Sequence, residues 1–173
     1  MADNLTLLTR AWQAWAPTAD QSEDGWQSDF PDWRILMALA CDAMRDAELQ
    51  SVHLMQIEQC WAWSEETEDL LDCAVDAIDI CWPVLTRLVR SDAASVRWQV
   101  YAALAAGGPG AKAYLRAGLD DSDGYCRRRA LLALAQLEPG DAADLQRRFR
   151  NDSDPYMRQV AASLTQSSTC APK

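Results

Sequence analysis

The chain is poor in the residues from which most enzyme sites are built. Its 173 residues include one histidine, His53. A histidine-rich metal site is therefore excluded, and any Ser-His or Cys-His catalysis has to run through that single ring. A lone histidine in an apolar helical stretch reads first as a structural residue. Lysine is almost as scarce: only Lys112 and Lys173 occur, in a chain of net charge −10. That balance opposes the phosphate neutralisation on which duplex binding depends. No basic start leads into an apolar run, and no stretch reaches the length of about eighteen apolar residues needed to span a bilayer. A soluble chain without a standard secretion signal is the expectation. The six cysteines, Cys41, Cys60, Cys73, Cys81, Cys126 and Cys170, contain no C-x-x-C pair. Most stand where a helix buries a small apolar residue, so reduced thiols in a cytoplasm are expected. Residues 107–110, Gly-Gly-Pro-Gly, lack the spacing and following lysine of a phosphate loop and read as a turn. No cofactor is expected.

What the chain does have is self-similarity. Residues 121–127, DSDGYCR, return as DSDPYMR at 152–158, and a weaker copy, SDAASVR, occupies 91–97. Leu104 recurs as Leu134 and Leu164, and Pro109-Gly110 as Pro139-Gly140. A fixed period of this length means stacked supersecondary units. Each unit reads as two short helices. The first is expected to open at Pro83, Pro109 or Pro139, since proline suits the first helical turn. The second follows an Asp/Ser-rich turn whose side-chain oxygens can accept free N–H groups. Its apolar positions, Cys126, Ala130, Leu131 and Leu134 in one unit and Val96, Val100 and Leu104 in another, fall at helical spacing.

Pro83, Leu85, Leu88, Ser91, Asp92, Val96, Arg97, Ala102 and Leu104 form a pattern that resembles the short HEAT-like repeats first noted in phycobilin lyases. The resemblance covers about residues 82–166, and it implies an all-α, right-handed α-solenoid of paired antiparallel helices. It implies little about activity, because such repeats serve as scaffolds, inhibitors, enzymes and nucleic-acid binders. The expected organisation is one helical domain: an irregular acidic part (1–81), three repeats (82–166) and a tail (167–173). A chain that is 49% hydrophobic can bury such a core.

The first half is less regular. Leu5, Leu8, Trp12 and Trp15 make an apolar stripe ended by Pro17, and a polar stretch, 18–29, reads as a long loop. Pro31 is expected to open a second helix with Trp33, Leu36, Met37, Ala40 and Met44 inward. Residues 51–63 fit a period of two as well as a helix, and helix is favoured by the neighbouring elements.

Charge divides the chain. Residues 1–84 carry seventeen acidic side chains against Arg10, Arg34 and Arg45, whereas residues 85–173 carry nine acidic against thirteen basic. Seven of the eight tryptophans lie in the acidic part. Glu65, Asp69, Asp72, Asp76 and Asp79 are spaced to share one face of a single expected helix beginning near Ser64. The macrodipole accounts for acid at the start of that helix but not for Asp72, Asp76 and Asp79. Like-charge neighbours on such a face cost about 1–2 kcal/mol at low salt, and no lysine or arginine lies between Asp46 and Thr86 to relieve them. A solvated face and a partner-facing surface both remain open. Trp26, in the polar loop, and Trp61 and Trp63, just before the acidic run, are candidate exposed anchors; pinning the loop to the body is the alternative for Trp26.

The expected function is therefore binding rather than catalysis: an immunity or antitoxin-type inhibitor that covers a basic protein. The alternatives are a DNA glycosylase for alkylated bases, as some HEAT-like proteins are, or a general adaptor. Arg127, Arg128, Arg129, Arg147, Arg148, Arg150 and Arg158 would supply positive charge for nucleic acid. Arg97, Arg127 and Arg158 are more simply expected to pair with turn aspartates of neighbouring units. Oligomeric state is open.

Overall fold

The computed structural model describes residues 2–107 and 110–164, and among them there are helices, short 3-10 turns and no strand. The chain divides into two compact units, residues 1–100 and 101–173. The division falls inside the region of the repeats.

The first unit begins with α1 (Ala2–Trp15), α2 (Trp33–Arg45), α3 (Ala47–Val52) and α4 (Leu54–Trp63). On α2, Trp33, Leu36, Met37, Ala40 and Met44 are all buried, as the helical spacing predicts. Asp46 then starts α3 by accepting from the N–H groups of Glu48 and Leu49 at 2.9 and 3.1 Å, which gives two orphan donors a partner. The ambiguous stretch 51–63 is helical, interrupted at His53. His53 is buried, and neither ring nitrogen has a hydrogen-bond partner.

Next come α5 (Asp69–Asp76), α6 (Ile78–Leu88) and α7 (Ala94–Leu104), the last running across the division between units. Pro83 lies inside α6 rather than opening it, because the helix already starts at Ile78. A disulfide joins Cys41 on α2 to Cys73 on α5, with Cα atoms 6.1 Å apart. The expectation of uniformly reduced thiols fails here. The two cysteines are 32 residues apart and meet only because α5 packs against α2. Cys60, Cys81 and Cys126 are buried and form no disulfide. Burial pushes the Cys60 and Cys81 thiols upward, so both are held neutral.

The second unit contains α8 (Ala111–Gly118), α9 (Gly124–Leu137), α10 (Ala142–Phe149) and α11 (Pro155–Ser163). A 3-10 turn, Pro139–Asp141, precedes α10, so Pro139 opens that turn and not the helix itself. The helix expected to open at Pro109 starts at Ala111, and Pro109 and the tail (167–173) lie outside the described residues. Buried Leu115 on α8 and Cys126, Ala130, Leu131 and Leu134 on α9 make the apolar seam. Gly118 is needed there: a Cβ would stand 2.6 Å from the Tyr101 ring and 2.9 Å from Ala130 Cβ.

Candidate functional site

The acidic run is not one helix. After α4 the chain turns through Ser64, Glu65, Glu66 and Thr67, and Glu68 takes a left-handed conformation, φ 55°, before α5 begins. A second interruption at Ala77 separates α5 from α6. Glu65 therefore sits in a turn and Asp79 on α6; only Asp69, Asp72 and Asp76 of the five share a helix.

The physical reason lies in what the first carboxylates hold. Glu65 accepts from the Trp98 indole N–H at 3.0 Å, and Asp69 from the Trp33 indole N–H at 3.1 Å. Glu66 accepts from the backbone N–H of Gly25 at 2.7 Å. These bonds tie the turn to three separate parts of the unit, which a continuous helix would pull apart. Gly25 itself has φ 77°, a conformation that favours glycine, and this brings its N–H to the carboxylate.

Beyond Asp69 the acidic residues change character. Asp72, Asp76 and Asp79 are exposed, and among the described residues none forms an ion pair or a side-chain hydrogen bond. Two apolar side chains are exposed with them: Val75, 41% exposed, between Asp72 and Asp76 on α5, and Ile80, 55% exposed, directly after Asp79. Helical spacing alone would place Val75 on the buried side with Leu70, Leu71 and Ala74, and nothing in the acidic spacing marks Ile80. Leu70, Leu71 and Ala74 are indeed buried. The Cys41–Cys73 bridge holds the buried face of α5 beneath this surface, and Arg45 donates to the Cys73 carbonyl at 3.5 Å.

Of the candidate tryptophan anchors, Trp61 takes a different place from that expected. Trp61 is fully buried, with its indole N–H 3.1 Å from Met44 Sδ and its carbonyl accepting from Gln99, so it is not an exposed anchor. Four residues after Ile57, it falls on the inner stripe of α4. Trp26 and Trp63 are half-buried. Both pack on Trp12, with ring centroids 5.5 and 5.4 Å away, and Trp26 also stacks on Trp15 at 5.9 Å. Trp12 further meets Trp33 at 4.9 Å and Phe30 edge-on at 5.6 Å. The aromatic ring cluster thus pins the polar loop to the body of the unit.

The repeat turns are built differently, and alike three times over. In each, a side-chain oxygen accepts from the backbone N–H two residues on: Ser91 from Ala93, Asp121 from Asp123 and Asp152 from Asp154, at 3.1, 2.8 and 2.8 Å. In each, the arginine six residues after that position folds back on its own turn. Arg97 donates to the carbonyls of Ser91 and Asp92, Arg127 to those of Asp121 and Ser122, and Arg158 to those of Asp152 and Ser153. Arg127 and Arg158 were expected on aspartates of neighbouring units; their bonds to these carbonyls instead close the turn that carries each of them. Arg128 does meet an aspartate of the next unit, lying 2.7 Å from Asp154, with the guanidinium also over the rings of Tyr125 and Tyr156. Desolvation raises the Asp154 carboxyl, but bonds from the N–H groups of Tyr156 and Met157 and from Arg128 outweigh it and hold the group below the ordinary carboxylate range.

Among the described residues, no group of three histidine, cysteine or acidic side chains is placed to hold a metal. No helix is long and apolar enough to cross a membrane. No curated protein and no solved structure matches the chain. The family model of HEAT repeats matches residues 82–165, and the match, falling on the three turns just described, supports a HEAT-like repeat family and an α-solenoid class of helical repeats for this all-helical chain.

Proposed function

We propose that this HEAT-repeat chain is a protein-binding scaffold acting as an immunity or antitoxin-type inhibitor, and that it covers a basic protein with the surface made by Asp72, Val75, Asp76, Asp79 and Ile80. The observation that carries the reading is that three exposed carboxylates have no partner among the described residues while two apolar side chains lie exposed beside them. Unpaired charge of one sign steers a partner of the other sign and raises its association rate. Apolar side chains at the same place supply contact area that gains from losing water. The folding of α5 needs only its buried face, so the three aspartates are free to serve the surface. In this reading the chain acts by occlusion, without catalysis and without a cofactor. Trp61 is buried in the body of the unit, Glu65 and Asp69 hold indoles, and Trp26 and Trp63 pack on Trp12, so the contact is assigned to the three aspartates and the two apolar side chains. The disulfide removes the thiol argument for a cytoplasmic location.

The test is capture of partners by the tagged chain from its native host at low and high salt, followed by measurement of the purified pair. The reading requires one basic protein, bound stoichiometrically, with an affinity that falls with salt and falls again in D72N/D76N/D79N. Unchanged affinity and unchanged salt dependence in that variant would remove the acidic surface from the mechanism. Release of an alkylated base from added duplex would replace inhibition with the glycosylase alternative.

A further inference from the structure

Among the described residues of 101–173, several cations already have carboxylate partners. Lys112 and Arg116 meet Glu138 at 3.2 and 2.7 Å, Arg128 meets Asp154 at 2.7 Å, and Arg148 meets Asp120 at 3.2 Å. The last helical pair departs from this pattern. A cavity of about 320 Å³ is lined by Gln146, Arg147 and Arg150 from α10 and its end, and by Arg158 and Ala162 from α11.

Its three arginines are only lightly engaged. Arg147 meets Asp144, but both side chains are more than two-thirds exposed (71% and 72%), where such a pair contributes little. Arg158 spends Nη1 on the carbonyls of Asp152 and Ser153, which fixes the guanidinium, while its other N–H groups make no hydrogen bond among the described residues. The Arg150 side chain has no hydrogen bond or ion pair among the described residues. The repeat does not require this gathering of charge in every copy: thirty residues earlier the counterparts of Arg147 and Arg150 are Ala117 and Asp120, although sixty residues earlier they are Arg87 and Arg90. The macrodipole favours cations in the last turn of α10, but it does not bring Arg158 of α11 into the same cavity.

We propose that this cavity binds a small phosphorylated ligand, of the di- or triphosphate class, through Arg147, Arg150 and Arg158. A guanidinium offers paired N–H donors that match two oxygens of one phosphate group, and three of them in one concavity match a ligand with several phosphate oxygens. A nucleic-acid backbone fits less well. It needs a track of unpaired cations, whereas Arg116, Arg128 and Arg148 are held by Glu138, Asp154 and Asp120. A net charge of −10 also repels a long polyanion more than a small one.

The test is calorimetric titration of the full chain with inorganic pyrophosphate, at low and at raised salt. Saturable one-to-one binding is expected, weakening with salt and falling about tenfold or more in R147Q/R150Q. Both of those side chains are exposed, so the variant should keep the parent's circular dichroism and melting temperature. R158K, which keeps the charge but loses the fork, should bind less tightly than the parent and more tightly than R147Q/R150Q. No saturable heat at millimolar pyrophosphate, or equal affinity in R147Q/R150Q, would overturn the proposal. A duplex oligonucleotide binding more tightly than pyrophosphate through the same arginines would overturn the small-ligand assignment.

Discussion

The two units satisfy their charges in opposite ways. In residues 101–173 aspartates and arginines are woven into the turns: Asp121 and Asp152 accept from their own backbone, Arg127 and Arg158 return to the carbonyls beside them, and Arg128 bridges to Asp154. In residues 1–100 Glu65 and Asp69 hold tryptophan indoles, Glu66 and Asp46 hold backbone N–H groups, and Asp72, Asp76 and Asp79 hold nothing among the described residues. A repeat recurs because one polar solution can be used again, and its charges are spent within each turn and between successive copies. The irregular unit is held by aromatic packing, a disulfide and indole bonds, so its remaining charges are left on the surface.

The strongest way to break this contrast is to remove the packing on which the irregular unit relies. Trp61→Ala deletes a fully buried side chain of α4. Truncation of a buried tryptophan costs about 3–5 kcal/mol, a large share of the stability of an ordinary domain. Hydrogen exchange, which reads the two units separately, should show protection collapsing in α2, α4 and α5. Loss of protection confined to α10 and α11 would mean that Trp61 is not central to the first unit.

A smaller effect is expected when the repeat turn is opened. Arg127→Gln removes two bonds from a charged donor to the carbonyls of Asp121 and Ser122. Bonds of that kind contribute about 1.5–3 kcal/mol when shielded, and a half-buried guanidinium should retain about 1–2 kcal/mol. Arg158→Gln breaks the same pair of bonds at an exposed position, so about 0.5–1 kcal/mol is expected. Urea denaturation of the two variants tests the order. A larger loss at Arg158 than at Arg127 would show that burial does not set the strength of the turn.

How far these features could be read from the residues depends on whether they were local. The repeat turns were legible, because an Asx turn and the arginine six residues later lie within one short string that recurs. The inward stripe of α2 was legible for the same reason. The acidic run was misread as one helix because its spacing is helical while its ends are decided by distant partners: Trp98 for Glu65, Gly25 for Glu66 and Trp33 for Asp69. Those tertiary bonds outweigh the local preference and place Glu68 in the left-handed region. The Cys41–Cys73 pair had no local signal at all. Trp61 did have one, the four-residue step from Ile57, and proximity to acidic residues hid it. The arginine cavity was missed because Arg158 was expected to be used by turn aspartates, and because the positions of Arg147 and Arg150 vary along the repeats, being Arg87 and Arg90 in the first and Ala117 and Asp120 in the second.

The smallest expected effect on stability bears most directly on function. D72N/D76N/D79N removes three like charges from α5 and the start of α6. Relief of such neighbours amounts to a few tenths of a kcal/mol for each pair, so melting should stay the same or rise slightly at low salt. Raising the ionic strength screens exposed charges and should therefore stabilise the parent more than the variant, until the two melting curves converge. Convergence at high salt, with partner affinity lost at low salt, would separate a surface kept for binding from one kept for folding. A variant that melts well below the parent would mean that the aspartates hold structure. The contrast between a unit that leaves its charges unpaired and one that spends them internally would then not hold.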